Sequence, residues 1–435
     1  MRSLLERDEA VIWHPFTHQK NRPPVIPIVS GKGSLLFDEN GHALIDAISS
    51  WWVNLHGHSH PYIAEKLYKQ ALQLEQVIFA GFTHEPAIVL AESLLKILPA
   101  GISRIFYSDN GSTSTEVALK MALQYWWNST PENKPKRNKI VAFNNSYHGD
   151  TFGAMSVSDR SVFTLAFHDY LFEVVFINTP TTENIANTKA MLQPIINEVA
   201  AFIYEPLVQG AGGICMYDAA PMNELLKFFQ LYHVICIADE VMTGFGRTGK
   251  LFASNYLAVE PDIICLSKGL TGGTMALGVT ACKSFIYDAF ISDDKLKTFF
   301  HGHSFTANPL ACTAAIASIE LLMEETCMQQ IEWLCNEINK FATSLKKYGN
   351  NYLANIRHQG TILAFEIMKG KTAYLNQLAA PITNFAIEKG VYIRPLGNTV
   401  YIMPPYCITE NELNKIFNCI VLIIEKFAVT PSPIT

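Results

Sequence analysis

Ile263-Ile264-Cys265-Leu266-Ser267-Lys268-Gly269 is an apolar run that ends by delivering a lysine into a glycine-flanked loop. A short apolar stretch bounded by turn formers reads as a buried strand. Taken alone, Lys268 is a surface cation capping a strand. The residues that follow, Gly269-Leu270-Thr271-Gly272-Gly273-Thr274, are small and uncharged, so no ion-pair partner is near in sequence. A lysine kept in such surroundings has a lowered pKa and can attack an aldehyde.

The same pattern recurs outward from this stretch. Apolar strands at residues 104–107, 140–143, 201–204 and 234–238 alternate with helical stretches from about residue 60 to 300. Such alternation predicts an α/β layer on a mostly parallel sheet. Several of these strands run into polar, Gly-containing loops, where open α/β sheets place their ligands. Residues 25–46 read as short strands broken by Gly31, Gly33 and the Asn40-Gly41 turn. After Asn308-Pro309 the pattern is helical for about forty residues. It then alternates through Ile362–Ile367, 391–394, 400–403 and a helix from Thr409. We expect an N-terminal segment 1–55 whose hairpin joins a small domain, a large α/β domain over 56–308, and the small α+β domain over 309–435.

The 435 residues are 49% apolar and 17% charged with a formal charge of -6, a folded, globular composition. The basic run Lys134-Pro135-Lys136-Arg137 is short, sits in a polar stretch and reads as a solvated loop, so nucleic-acid binding has no support. Met1 to Ala10 is too charged for a secretory signal, and no apolar run reaches membrane-spanning length. The nine cysteines lack C-x-x-C pairs, and Cys236, Cys265 and Cys312 lie in apolar runs. Free buried thiols in a reducing compartment, the cytoplasm, account for them.

Three further strand ends carry chemistry. Asp239 follows an apolar strand 29 residues before Lys268. A carboxylate there can be a helix N-cap, or it can salt-bridge the ring nitrogen of pyridoxal 5'-phosphate (PLP) and keep the ring electron-accepting. Ser108-Asp109-Asn110-Gly111-Ser112-Thr113 leads into a helix that we expect to open at Thr115, with a buried stripe at Ala118, Met121, Ala122 and Tyr125. A Gly-Ser turn before a helix N-terminus is either a plain cap or a phosphate pocket. It lacks the Walker ending and the G-x-G-x-x-G spacing, which disfavours a nucleotide loop and a nicotinamide dehydrogenase. Tyr147 ends another strand, placed to fill the core or to stack on a planar ring. The His56-x-His58-x-His60 triplet suggests a metal, but Gly57 and Pro61 break the strand and no acid or thiol follows closely, so we assign none.

These residues resemble the class III aminotransferases of PLP fold type I, and the likeness runs from Trp13 to about Pro405. It is carried by Ile237-Ala238-Asp239-Glu240-Val241-Met242-Thr243-Gly244-Phe245-Gly246-Arg247-Thr248-Gly249-Lys250 and by the Lys268 stretch. The resemblance implies that Gly111 and Ser112 bind phosphate, Tyr147 stacks on the ring, Asp239 pairs with its nitrogen and Lys268 carries the cofactor as a Schiff base. It also implies a homodimer in which Ser304 of Phe300-His301-Gly302-His303-Ser304-Phe305-Thr306 reaches the neighbouring subunit's phosphate.

Trp13-His14-Pro15-Phe16-Thr17, Ser49-Ser50-Trp51-Trp52, Tyr147-His148-Gly149-Asp150 and Ile393-Arg394-Pro395-Leu396-Gly397 resemble the branch that serves biotin biosynthesis. That branch aminates 8-amino-7-oxononanoate with S-adenosylmethionine as donor. On this likeness Phe16, Trp51, Trp52, Tyr147, Gly302 and Arg394 bind substrate, Arg394 taking the carboxylate in its planar fork. Phe16 stands where many members carry Tyr, and His301-Gly302-His303-Ser304-Phe305 departs from the His-Gly-Pro-Thr-Phe of adenosylmethionine users toward members that use lysine. An ω-amino acid aminotransferase or an aminomutase shares the fold, but the tryptophan pair and the Arg394 motif argue against both. A PLP-sensing regulator would need a DNA-binding segment before Trp13, and none is present in this sequence.

Overall fold

The computed structural model describes residues 2–20, 22, 25–131, 136–368 and 377–429. A seven-stranded sheet forms the centre, in the order Ile102–Ser108, Gly278–Lys283, Ile263–Leu266, Ile235–Asp239, Val199–Tyr204, Lys139–Phe143, Val175–Ile177. Gly278–Lys283 runs antiparallel to both of its neighbours, and the remaining pairings are parallel. Every residue of Val199–Tyr204, Ile235–Asp239 and Ile263–Leu266 is buried. Strands covered on both faces need uninterrupted apolar sequence, which is why these runs do not alternate. The register sets Asp239 opposite Cys265 and Ala238 opposite Tyr204. The carboxyl ends of the parallel strands therefore lie along one edge, and Asp239, Glu205, Lys268 and Tyr147 emerge there.

The helix expected to open at Thr115 begins four residues earlier, as Gly111–Ser129. Asn110 is its cap: the Asn110 side chain accepts from Thr113 N at 2.9 Å, and Thr113 Oγ1 accepts from Asn110 N at 3.1 Å. That reciprocal pairing stabilises a start inside the Gly-Ser turn. Two strands carry no apolar signature that would reveal them. Gly278–Lys283 is made largely of small residues, and Leu353–Gln359 is mostly polar. The strand expected over 391–394 ends at Tyr392, which leaves Arg394 beyond it. Lys134 and Pro135 of the basic run lie outside the described residues. Arg137 is not solvated as the run suggested: it donates to Val199 O and Tyr232 O, and its guanidinium lies 4.3 Å from the Trp126 ring centre.

The two ends of the chain share a sheet. Ile28–Lys32, Leu35–Asp38 and Ala43–Asp46 form an antiparallel meander, and Val391–Tyr392 adds to it parallel to Ala43–Asp46. A three-stranded sheet of Leu353–Gln359, Ile362–Ile367 and Thr399–Ile402 lies nearby in the chain and packs with the helix Glu325–Leu345. Among the described residues no helix is long and apolar enough to cross a membrane.

Arg247 ties these parts together. It is fully buried and donates to Asn54 O at 2.9 Å and Pro404 O at 3.0 Å, while its guanidinium sits 5.1 Å from the Tyr406 ring centre. Burial lowers its pKa, and the nearest compensation comes from Tyr406 and Asp46. Arg247→Ala leaves two buried carbonyls without donors and should cost about 3 kcal/mol of stability. The shift of the denaturant unfolding midpoint, followed by circular dichroism, measures it.

Candidate active site

A cavity of about 460 Å³ opens at the carboxyl edge of the sheet, lined by Trp52, Gly111, Ser112, Tyr147, Asp239 and Lys268 among others. Lys268 enters it from a backbone held at φ 46°, a left-handed conformation that costs energy in any residue with a Cβ. The constraint sends the side chain inward, where Nζ lies 4.4 Å from the Trp52 ring centre. Among the described residues no carboxylate comes within ion-pair distance of this amine. Burial lowers its pKa to about 8; Asp239 and Glu205 oppose the shift, and Arg247 adds to it.

Asp239 is buried and its two oxygens are already oriented. Oδ2 lies 2.6 Å from His148 Nδ1, and Oδ1 accepts from Val241 N at 3.0 Å. The imidazole is fully enclosed; the His148 main-chain N–H donates to Ser158 Oγ, and the ring Nε2 has no protein partner among the described residues. Glu205 accepts from Gly210 N at 2.8 Å and Tyr147 N at 3.1 Å. Burial pushes its pKa up to about 7, His148 pulling it down and Asp239 pushing it further up. Its carboxyl thereby orders the strand end that carries Tyr147.

The anion side of the cavity is built from backbone. Gly111 and Ser112 are the first residues of a 19-residue helix, so their N–H groups have no helical acceptor. A Cβ on Gly111 would approach Val241 Cγ1 to 2.8 Å, so only glycine leaves this wall unstrained. The Ser112 hydroxyl accepts from Asp150 N at 3.1 Å. Gly149 lies against it at φ +129°, and any Cβ there would run into that hydroxyl. An enclosed amine, an oriented carboxylate, a flat aromatic and a dipole-backed N–H pair are the groups that a phosphorylated pyridine aldehyde requires. The donor set fits PLP.

A second cavity, of about 470 Å³, is lined by His14, Phe16, Tyr392 and Arg394 among others. The tryptophan pair contacts a cation of each cavity. Trp52 lies under the Lys268 amine and donates its indole N–H to the Tyr401 hydroxyl at 3.0 Å. Trp51 lies 5.0 Å from the Arg394 guanidinium, and the Phe16 ring is edge-on to it at 5.4 Å. The two adjacent rings meet different groups because the backbone between them is forced: Ser49, Ser50 and Trp52 all have positive φ. Asp46 holds this strain by accepting from Ser50 N, Ser50 Oγ, Ile48 N and His58 Nε2. Ser49 Oγ donates to Met403 O at 2.7 Å. His58 is thus engaged with Asp46 and Asn54, and His56 with Ser318.

Gly302 and Ser304 are not brought to either cavity within this chain. Both are exposed, and the Ser304 carbonyl accepts from Gln76 Nε2 at 2.6 Å. Sequence reasoning missed His148, whose only signal is its place beside Tyr147 at a strand end.

The chain belongs to the class-III aminotransferase family, whose match spans residues 16–424. It is a PLP-dependent transaminase. Adenosylmethionine-8-amino-7-oxononanoate aminotransferase of Synechococcus elongatus is 46% identical over 95% of this chain and 98% of its own. The protein of that name from Staphylococcus aureus is 37% identical over 94% of each. The crystal structure of adenosylmethionine-8-amino-7-oxononanoate aminotransferase from Methanocaldococcus jannaschii superposes with a TM-score of 0.91 at 33% identity, covering 98% of this chain and 99% of that one.

The environment of Lys268 predicts a pH dependence for the cofactor-free protein. Only the neutral amine attacks an aldehyde, and its fraction rises with pH through the folded-state pKa. Trapping of Lys268 by an aldehyde followed by reduction, read by peptide mass, should reach half its limiting rate near pH 8. A midpoint close to 10.5 would contradict this environment.

Proposed function

We propose that this chain converts 8-amino-7-oxononanoate to 7,8-diaminononanoate, the transamination step of biotin biosynthesis, with PLP held on Lys268. One observation carries the reading: the amine and the guanidinium lie over the two rings of one tryptophan pair, Lys268 on Trp52 and Arg394 on Trp51. A reacting carbonyl at the first and a carboxylate at the second describe an oxo-acid held at both ends. The relatives' names agree with that acceptor.

PLP supplies an aldehyde that takes up an amine and a ring that accepts the electron pair freed when a Cα–H bond breaks. In this proposal Lys268 Nζ is the group that would hold the cofactor's aldehyde, and as a free amine it would carry the proton as a base. Its lowered pKa suits that task, because a base near the operating pH is both free to accept and able to return a proton. Asp239, kept rigid by His148 and Val241 N, would hold the ring nitrogen protonated. The Gly111 and Ser112 N–H groups would take the phosphate, Tyr147 would stack on the ring, and Phe16 and the tryptophans would exclude water around the acceptor. Arg394 makes no ion pair among the described residues, which leaves its fork for the carboxylate.

The active unit is a cytoplasmic homodimer in this reading, with Gly302 and Ser304 acting across the subunit boundary. The exposure of both residues supports it. The amino donor is S-adenosylmethionine. A second reading, lysine as donor, is favoured by His303-Ser304, which stand where adenosylmethionine users carry Pro-Thr. Mixing the PLP-loaded enzyme separately with S-adenosylmethionine and lysine, while following the cofactor absorbance, distinguishes the two. Conversion by neither would overturn the biotin-pathway assignment.

Lys268→Ala should abolish turnover while retaining phosphate-anchored cofactor, as read by absorbance and by rescue with a small amine. Arg394→Ala should raise KM for 8-amino-7-oxononanoate about tenfold to a hundredfold, the worth of a charge-assisted pair. Arg394→Lys should recover part of that, because an ammonium keeps the charge but not the fork.

A further inference from the structure

The rings of Trp51, Phe16, Phe163 and Tyr147 form a continuous string, with successive centroids 5.4, 5.9 and 6.1 Å apart. Tyr147 lines the Lys268 cavity at one end, and Trp51 carries the Arg394 guanidinium at the other. Of these four rings, Phe163 has no role so far. It is half-buried and lines a third cavity, of about 410 Å³, which shares Tyr147 and Ala211 with the Lys268 cavity.

The loop bearing Phe163 is fixed by the protein alone. Arg160 Nη1 donates to Met155 O, Ser156 O and Ser158 O, and Nη2 to Phe172 O, at 2.9 to 3.3 Å. On the other flank Thr164 is buried; its hydroxyl accepts from Ser161 N at 3.1 Å and lies 3.0 Å from His168 Nε2. A half-buried aromatic on so polar a loop is costly to leave facing water, and its position is set before any ligand arrives. A straight-chain oxo-acid has only methylenes between its reacting carbonyl and its carboxylate. Over that stretch it needs an apolar wall and no hydrogen-bonding group.

We infer that Phe163 is a specificity residue of the acceptor half-reaction, packing against the methylene chain between the carbonyl held at Lys268 and the carboxylate held at Arg394. The inference rests on the acceptor proposed above. In PLP-loaded enzyme, Phe163→Ala should raise KM for 8-amino-7-oxononanoate about tenfold to a hundredfold, the value of one buried aromatic, with a much smaller change in kcat. Phe163→Leu should restore most of the loss, and the cofactor absorbance of both variants should match that of the unaltered enzyme. An unchanged KM in Phe163→Ala, or a fall in kcat alone, would overturn the role of Phe163 while the acceptor stands. Failure of the unaltered enzyme to aminate 8-amino-7-oxononanoate would instead overturn the acceptor itself, and is seen before any variant is made.

Discussion

The site depends on one buried amine that no carboxylate among the described residues pairs with. Burying a charged lysine without a partner is expensive, and the group responds by holding its proton less tightly. Everything around Lys268 keeps that situation in place. The strand Ile263–Leu266 delivers it, a left-handed residue turns it inward, and the Trp52 ring gives its ammonium a face rather than a counter-ion. Asp239 and Glu205 lie near enough to moderate the effect but do not cancel it. A direct salt bridge would instead raise the Lys268 pKa and leave more of the amine protonated near neutral pH.

Much of this arrangement can be read from residue order. Buried parallel strands require long apolar runs, so the sheet announces itself at Val199–Tyr204, Ile235–Asp239 and Ile263–Leu266. Chemistry at strand ends requires particular side chains, so Asp239 and Lys268 stand out against the apolar residues before them. Gly278–Lys283 stays hidden because small residues serve an antiparallel strand packed beneath a helix as well as they serve a loop; Thr280 Oγ1 even donates to Ser114 O of that helix. His148 stays hidden because its value lies in an Nδ1 contact made across 91 positions of sequence. Phe163 reaches Phe16 and Tyr147 only after its loop is folded back by Arg160.

The helix that begins at Gly111 and the forced turn at Ser49–Trp52 show two ways of holding a site rigid. In the first, regular structure supplies the geometry, and Asn110 closes the helix so that two N–H groups remain for a ligand. In the second, irregular backbone supplies it: three residues with positive φ persist because Asp46 accepts hydrogen bonds from four donors around them. Strain of this kind is retained where the surrounding contacts over-determine it. The reacting end thus rests on the sheet edge, and the opposite end rests on a knot of side chains.

That knot is tied to the far end of the polypeptide. Ala43–Asp46 pairs with Val391–Tyr392, Ser49 holds Met403 O, and Trp52 holds Tyr401. During synthesis the early segment therefore emerges long before the residues that fix it. The parallel strands from Lys139–Phe143 to Ile263–Leu266 precede Val391–Tyr392 in the chain by more than a hundred residues. Such long-separation contacts form late and slowly. Chain termination anywhere before Tyr401 would leave Trp52 without the hydroxyl that its indole N–H meets.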